Sequence, residues 1–157
     1  MATEEVCDVC SRALGQRFFS VVRNVEFDRE IGEISLETVV LESVQLSAYC
    51  TSCGVAPALQ AFRDLRLTPL RSQACPPTPL CCRCQGRFVP EDQPHLVYWI
   101  EHDEWCGDGS VMPTEIFRAP VCGECWVSSS GEAQVLAAAE STRRSGFGAD
   151  NNFGAVT

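Results

Sequence analysis

The chain has 157 residues, 45% of them apolar, the make-up of an ordinary globular protein of one domain or two small ones. Its formal charge is −9 and its twelve cations are all arginine, so Schiff-base lysine chemistry and a phosphate-loop lysine are excluded. The start "MATEEVCDVC" shows no secretory signal, and no stretch approaches the roughly 18 apolar residues of a membrane span. A soluble, cytoplasmic chain is expected, in a reducing compartment where eleven cysteines are metal-bound or redox-active rather than paired as disulfides.

The first element is a cysteine pair, Cys7 and Cys10 in "CDVC". Two cysteines separated by two residues form a knuckle that offers two thiolates to one ion. Zinc takes four ligands in a tetrahedron, with Zn–S near ~2.3 Å, so two knuckles complete one site. "RFFSVVRNVEFD" follows and alternates, with Phe19, Val21, Val25 and Phe27 on one parity, which predicts a strand. "DREIG" reads as a turn. "EISLETVVLESVQLSAY" alternates again through Ile34, Leu36, Val40, Val44, Leu46 and Ala48. A helix through Leu36, Val39, Val40 and Val44 competes, and the β-branched content decides for strand. Cys50 and Cys53 make the second knuckle. "GVAPALQAFRDLRL" then predicts a helix, with Pro57 in its first turn and Leu59, Phe62 and Leu65 along one face.

"TPLRSQACPPTPL" is a Pro-rich linker over 68–80, with Cys75 a bystander thiol. In "LCCRC" the two-residue spacing selects Cys81 and Cys84, with Cys82 competing for the place of Cys81. "HLVYWIEH" predicts a strand, "EWCGDGS" a turn-rich loop and "TEIFRAPV" a return strand. Glu101, Asp103, Glu104 and Asp108 lack calcium-loop spacing and read as a solvated acidic loop. Trp99, Trp105 and Trp126 read as core or knuckle-packing residues; one left exposed near that loop would be a natural anchor for a partner. Cys122 and Cys125 close the series. "SSSGEAQVLAAAESTRR" predicts a second helix, with Ser129 and Glu132 as a capping box and Arg143 and Arg144 at its negative end. Residues 145–157 read as a disordered tail.

The knuckles repeat. Cys7 to Cys81 and Cys10 to Cys84 are both offsets of 74; Cys50 to Cys122 and Cys53 to Cys125 are both 72. A glycine and a phenylalanine follow the first knuckle of each half, in "CSRALGQRFF" and "CQGRF", and the glycine is expected to supply the positive φ that turns backbone N–H groups towards sulfur. An internal duplication follows, with units at 1–67 and 81–144. Each unit holds four ligands and its own hairpin, so pairing within units is expected rather than cross-bracing. Cys7, Cys10, Cys50 and Cys53 would bind one zinc; Cys81, Cys84, Cys122 and Cys125 would bind a second. Cys106 with His95 and His102 is a weaker alternative set.

The order knuckle, hairpin, knuckle, helix, carried by "CDVC", "CTSCG", "CCRC" and "VCGECW", resembles treble-clef zinc folds and overlaps all-cysteine zinc ribbons. The resemblance covers residues 7–66 and 81–144. It is to a structural class, and implies a small zinc-stabilised α+β fold of two duplicated units. Inserts of 39 and 37 residues between knuckles are long for minimal versions of these folds. Units of this size have marginal cores, so metal is expected to be needed for folding.

These features favour a non-catalytic protein whose two structural zinc sites scaffold a protein-interaction surface. A closed four-cysteine site leaves no open position for hydrolytic chemistry. Nucleic-acid binding is the alternative, disfavoured by charge: eight thiolates and two zinc dications take the formal −9 to −13, whereas phosphate binding draws on cations. Thiol redox work or zinc-release sensing is a second alternative.

Overall fold

β-Branched and aromatic residues crowd two stretches near the start of the chain, and both are strands: β1 (Arg17–Ile31) and β2 (Ser35–Cys50). They form an antiparallel hairpin that turns at Gly32, whose φ of 71° favours a residue without a Cβ. The computed structural model describes residues 5–33, 35–71, 80–88 and 94–126, then 132, 134, 135, 137, 138 and 141. Ile34, most of the linker with Cys75, Ser129, Arg143, Arg144 and the tail lie outside the described residues, as does the side chain of Leu36.

The β1–β2 register runs from Phe18↔Cys50 to Ile31↔Ser35 and skips Leu46 and Leu41. Each skip is a bulge that sends the following side chains to the other face. The alternation expected through β2 therefore does not line one buried face. Val44, between the bulges, pairs with Arg23 on one face, whereas Ala48 and Val40 pair with Ser20 and Glu26 on the other, where Ala48 is buried and Val40 is 49% exposed.

A second hairpin follows from β4 (His95–Trp105) and β5 (Val111–Val121), with a bulge that skips Ile116. The strand reaches three residues beyond "HLVYWIEH", which corrects the acidic-loop reading. Glu101, Asp103 and Glu104 are strand residues, and Asp103 is only 3% exposed. Only Asp108 of that group sits in the turn, where its carboxylate accepts the Ser110 N–H and hydroxyl.

The hairpins are joined edge to edge. β1 pairs antiparallel with β4 from Arg17↔Glu104 to Glu26↔His95, and with the two-residue strand β3 (Leu70–Arg71) they form one five-stranded sheet in the order β2-β1-β4-β5-β3. β3 lies inside the segment expected as linker and pairs with Arg118 and Phe117 of β5. Both predicted units thus contribute to a single sheet.

Residues paired across the seam share a face, so Val21 and Val25 of β1 stand with Ile100 and Leu96 of β4. These join Ala119, Val121 and the helix α1 (Ala56–Asp64) in one core. Pro57 sits in the first turn of α1; Ala58 and Phe62 are fully buried, with Leu59 and Leu65 packed at the margin. Burial of the Phe62 side chain contributes about 1.5–3 kcal/mol. Positions 132, 134, 135, 137, 138 and 141 are helical, and Val135 packs against the same core. The opposite sheet face carries Phe18, Ser20, Trp99 and Asp103, all buried, with Arg118 stacked 4.9 Å from the Trp99 ring centre.

Candidate metal centres

Each knuckle is a short chain reversal built by backbone hydrogen bonds, and the first and third share one design. Cys7 N–H donates to the Arg12 carbonyl and Cys81 N–H to that of Gly86; Ser11 N–H donates to Cys7 and Gln85 N–H to Cys81. Bridges Val6↔Ala13 and Leu80↔Arg87 close them. All these positions are related by the offset of 74. Gly15 takes the expected positive φ, at 76°, but the left-handed residue inside the turn closed by these hydrogen bonds is not a glycine. It is Ser11 in one knuckle and Gln85 in the other, each at φ 60°. Glycine serves differently at Gly86, whose N–H donates to Cys84 Sγ and where an added Cβ would meet that sulfur at 3.2 Å.

The second and fourth knuckles arise where β2 and β5 end. Cys53 N–H donates to the Cys50 carbonyl, and Cys125 N–H to that of Cys122. The knuckles dock through a further pair: Asp8 N–H donates to Ala48, and Cys82 N–H to Pro120. Ala48 also has an N–H to satisfy, and Asp8 Oδ2 accepts it at 2.7 Å. Pro120 has none, and its partner Cys82 is not an acid.

Folding brings Cys7, Cys10, Cys50 and Cys53 together, and separately Cys81, Cys84, Cys122 and Cys125, with the four sulfurs of each group within 4.8 Å of one another. Pairing is within each half, not across halves. Sulfur separations are 3.8 Å for Cys7–Cys53, 3.6 Å for Cys10–Cys50 and 3.9 Å for Cys84–Cys122. Four sulfurs each ~2.3 Å from a tetrahedral ion stand about 3.8 Å apart, so the donors fit such an ion. A disulfide needs about 2.05 Å, and all ten described cysteines are free thiols. The groups share one burial pattern: the first cysteine of each is buried and the second, Cys10 or Cys84, is exposed.

The electrostatics show why such a group calls for a cation. Burial pushes the Cys7 thiol up, but backbone hydrogen bonds at Cys50, Cys10 and Val9 outweigh it and bring it down to about 6. At Cys81 burial is again outweighed by backbone hydrogen bonds, at Cys84, Cys122 and Arg83, and the thiol falls to about 7. Neighbouring sulfurs then resist further ionisation. Cys53 is pushed up to about 12, first by the Cys50 side chain, and Cys125 is pushed up by burial and by Cys122. One thiolate forms readily and the last does not; a dication at the centre removes the conflict.

The other candidates separate. Cys82 is buried outside the second group, and burial raises its thiol. Cys106 donates to the Glu104 carbonyl. His95 and His102 have opposite parity on β4 and point to opposite faces, His95 against Phe88 and His102 against Phe19, both at 5.1 Å. Among the described residues, the Cys106–His95–His102 set is not brought together as a site. Trp99 is buried, but Trp105 and Trp126 are 36% and 43% exposed, contrary to a packing role for all three.

Sequence reasoning missed Arg83, the residue between Cys82 and Cys84. It donates to the carbonyls of Cys125 and Leu65 and to both oxygens of Glu132, which also accepts from the Tyr98 hydroxyl. The glutamate expected in a capping box is thus held beside the second centre. An arginine inside a knuckle is the one sequence signal that pointed there. Comparison with protein-family models, with curated proteins and with solved structures finds no match.

Proposed function

We propose that the protein is a non-catalytic zinc scaffold, in which two structural ions fix a β-rich framework whose outer surfaces engage a protein partner. The observation that carries the reading is the pair of closed four-sulfur groups at tetrahedral separations. All-thiolate donors in this geometry select zinc over hard cations, and a full coordination shell suits a structural role. Free thiols at the ten described cysteines accord with a reducing, cytoplasmic setting.

The matching hydrogen bonds and bridges at an offset of 74 support a duplication in which each half is a knuckle, hairpin, knuckle and helix. That order supports the treble-clef and zinc-ribbon likeness at the level of architecture. The formal charge of −9 favours a protein partner over nucleic acid.

Native mass spectrometry of the purified chain tests the proposal. Two zinc ions per chain is the expected result. A metal-free chain that keeps its fold, or thiols that cycle with reductant, would replace the scaffold with redox chemistry.

A further inference from the structure

On the sheet face opposite the core, near the first metal centre, lies a cleft of about 220 Å³. β1 supplies Phe18 and Ser20, β4 supplies Glu101, Asp103 and Trp105, and Val111 and Glu5 stand at its rim. Phe18 and Trp105 face each other with ring centres 6.2 Å apart, and Trp105 remains 36% exposed.

The chemistry of the walls is unbalanced. Asp103 is 97% buried by surface area, yet among the described residues its carboxylate meets only uncharged or acidic partners, the Ser20 hydroxyl, which donates to it at 2.5 Å, and the Glu101 carboxyl. No described cation pairs with Asp103 or Glu101. Buried carboxylates are ordinarily matched by a cation or a metal. Burial, then the Asp103 charge and a hydrogen bond to the Asp103 side chain, push Glu101 up to about 7, the response of an acid set against another acid with no cation beside it.

A metal ion does not supply that charge. Among the described residues only the cysteine groups bring three or more ligand atoms within 4.8 Å, so Glu101 and Asp103 find no third ligand beside them to complete a chelating group. An extended cation with an apolar surface suits them better. A guanidinium is planar, pairs with carboxylates through a fork of N–H donors and stacks on aromatic rings. The same sheet face displays that preference: Trp99, six residues before Trp105 on β4, has Arg118 stacked on it, while among the described residues Trp105 has no cation over it.

We propose that this cleft is a binding site for the guanidinium of an arginine side chain presented by a partner protein, stacked on Trp105 and paired with Asp103 and Glu101. The assignment rests on the scaffold reading for its partner and adds the place and chemistry of contact.

The test is heteronuclear NMR of the zinc-loaded full chain, titrated with N-acetyl-arginine amide at millimolar concentration. Saturable shifts of the Trp105 indole and of the Glu101–Trp105 amides are expected. N-acetyl-citrulline amide, the neutral near-isostere, should bind at least about tenfold more weakly. Equal response to citrulline, or shifts that map elsewhere or do not occur, would overturn the assignment. Asp103→Asn should weaken the arginine probe by about tenfold. Because Asp103 is buried, Val111→Arg at the exposed rim provides a second arm: its own guanidinium should fill the cleft and abolish the probe shifts while the spectrum stays dispersed. Undiminished binding in that variant also overturns the site. A dispersed, zinc-loaded spectrum with no probe shifts removes the cleft alone; a spectrum unchanged by zinc removal sinks the scaffold reading instead.

Discussion

Arg83 donates to both carboxylate oxygens of Glu132, at 2.8 and 3.0 Å, and the two side chains are only 7% and 1% exposed. Through the Leu65 and Cys125 carbonyls the same guanidinium ties the end of α1 to the second metal centre. Removing one member of such a pair leaves the other charge buried without a partner. Arg83→Met should cost roughly 3–5 kcal/mol in urea denaturation. Arg83→Met combined with Glu132→Gln should cost less than the single change, because the stranded carboxylate is gone. A double variant as unstable as the sum of its parts would rule out this coupling.

Metal removal should be catastrophic for the fold. A structural zinc contributes on the order of 10–16 kcal/mol of apparent binding energy, as large as the whole stability of a typical domain. A strong chelator should therefore abolish the near-UV circular dichroism. Cys10→Ser and Cys84→Ser, at the exposed ligand of each group, should each reduce the metal count from two to one, as native mass spectrometry would read. Loss of both ions from either single change would show that the centres do not load separately.

The docking of the first knuckle offers a milder test. Asp8 accepts the Ala48 N–H at 2.7 Å, and Ala48 is 4% exposed. Asp8→Ala leaves that N–H unsatisfied and should cost about 1.5–3 kcal/mol in thermal unfolding. The corresponding Cys82→Ala change removes no such bond, since Pro120 has no N–H to satisfy, and should cost less for hydrogen bonding at that place. Equal losses from a missing bond at the two sites would contradict the assignment.

Glu101 sets a pH dependence. Burial, and then the Asp103 charge, raise its carboxyl from 4.5 to about 7. The folded chain keeps this proton over a range where the unfolded chain has lost it. The contribution is thus fully present below about 4.5 and is lost as pH rises through about 7. Glu101→Gln should stabilise the protein by about 1–2 kcal/mol near pH 8 and change little near pH 5, a figure reduced for the partial exposure of the group. Thermal melts of both forms at equal pH and saturating zinc check this. A gain that is the same at both pH values would remove Glu101 as its source.

The metal groups were legible because a two-residue spacing is a local geometric statement: four repeats of it fix the count, and the duplication, with four ligands and a hairpin in each unit, favoured grouping within units over cross-bracing. The strands were legible from β-branched content. Their faces were not, because the bulges at Leu46 and Leu41 invert the parity of the stretch between them, which puts Val44 opposite Arg23 while Ala48 and Val40 stand opposite Ser20 and Glu26 on the other face. Asp103 read as a solvent residue because its burial depends on β1 lying beside β4, a long-range pairing with no local signature. The left-handed Ser11 and Gln85 escaped notice because neither is a glycine; the hydrogen bonds of the knuckle impose that conformation.

The seam between β1 and β4 also has a consequence in time. The side chains of Arg17 and Glu104 meet across it although 87 positions separate them in the chain. A ribosome adding about 5–20 residues per second needs on the order of 4–17 s to bridge that interval. Through those seconds β1 is made but lacks its second neighbour, and the backbone N–H and C=O groups that β4 later pairs stand open. The two hairpins therefore join only once β4 has emerged, with β5 and its pairing to β3 following, and until then the nascent chain carries at β1 an open edge that the finished sheet encloses.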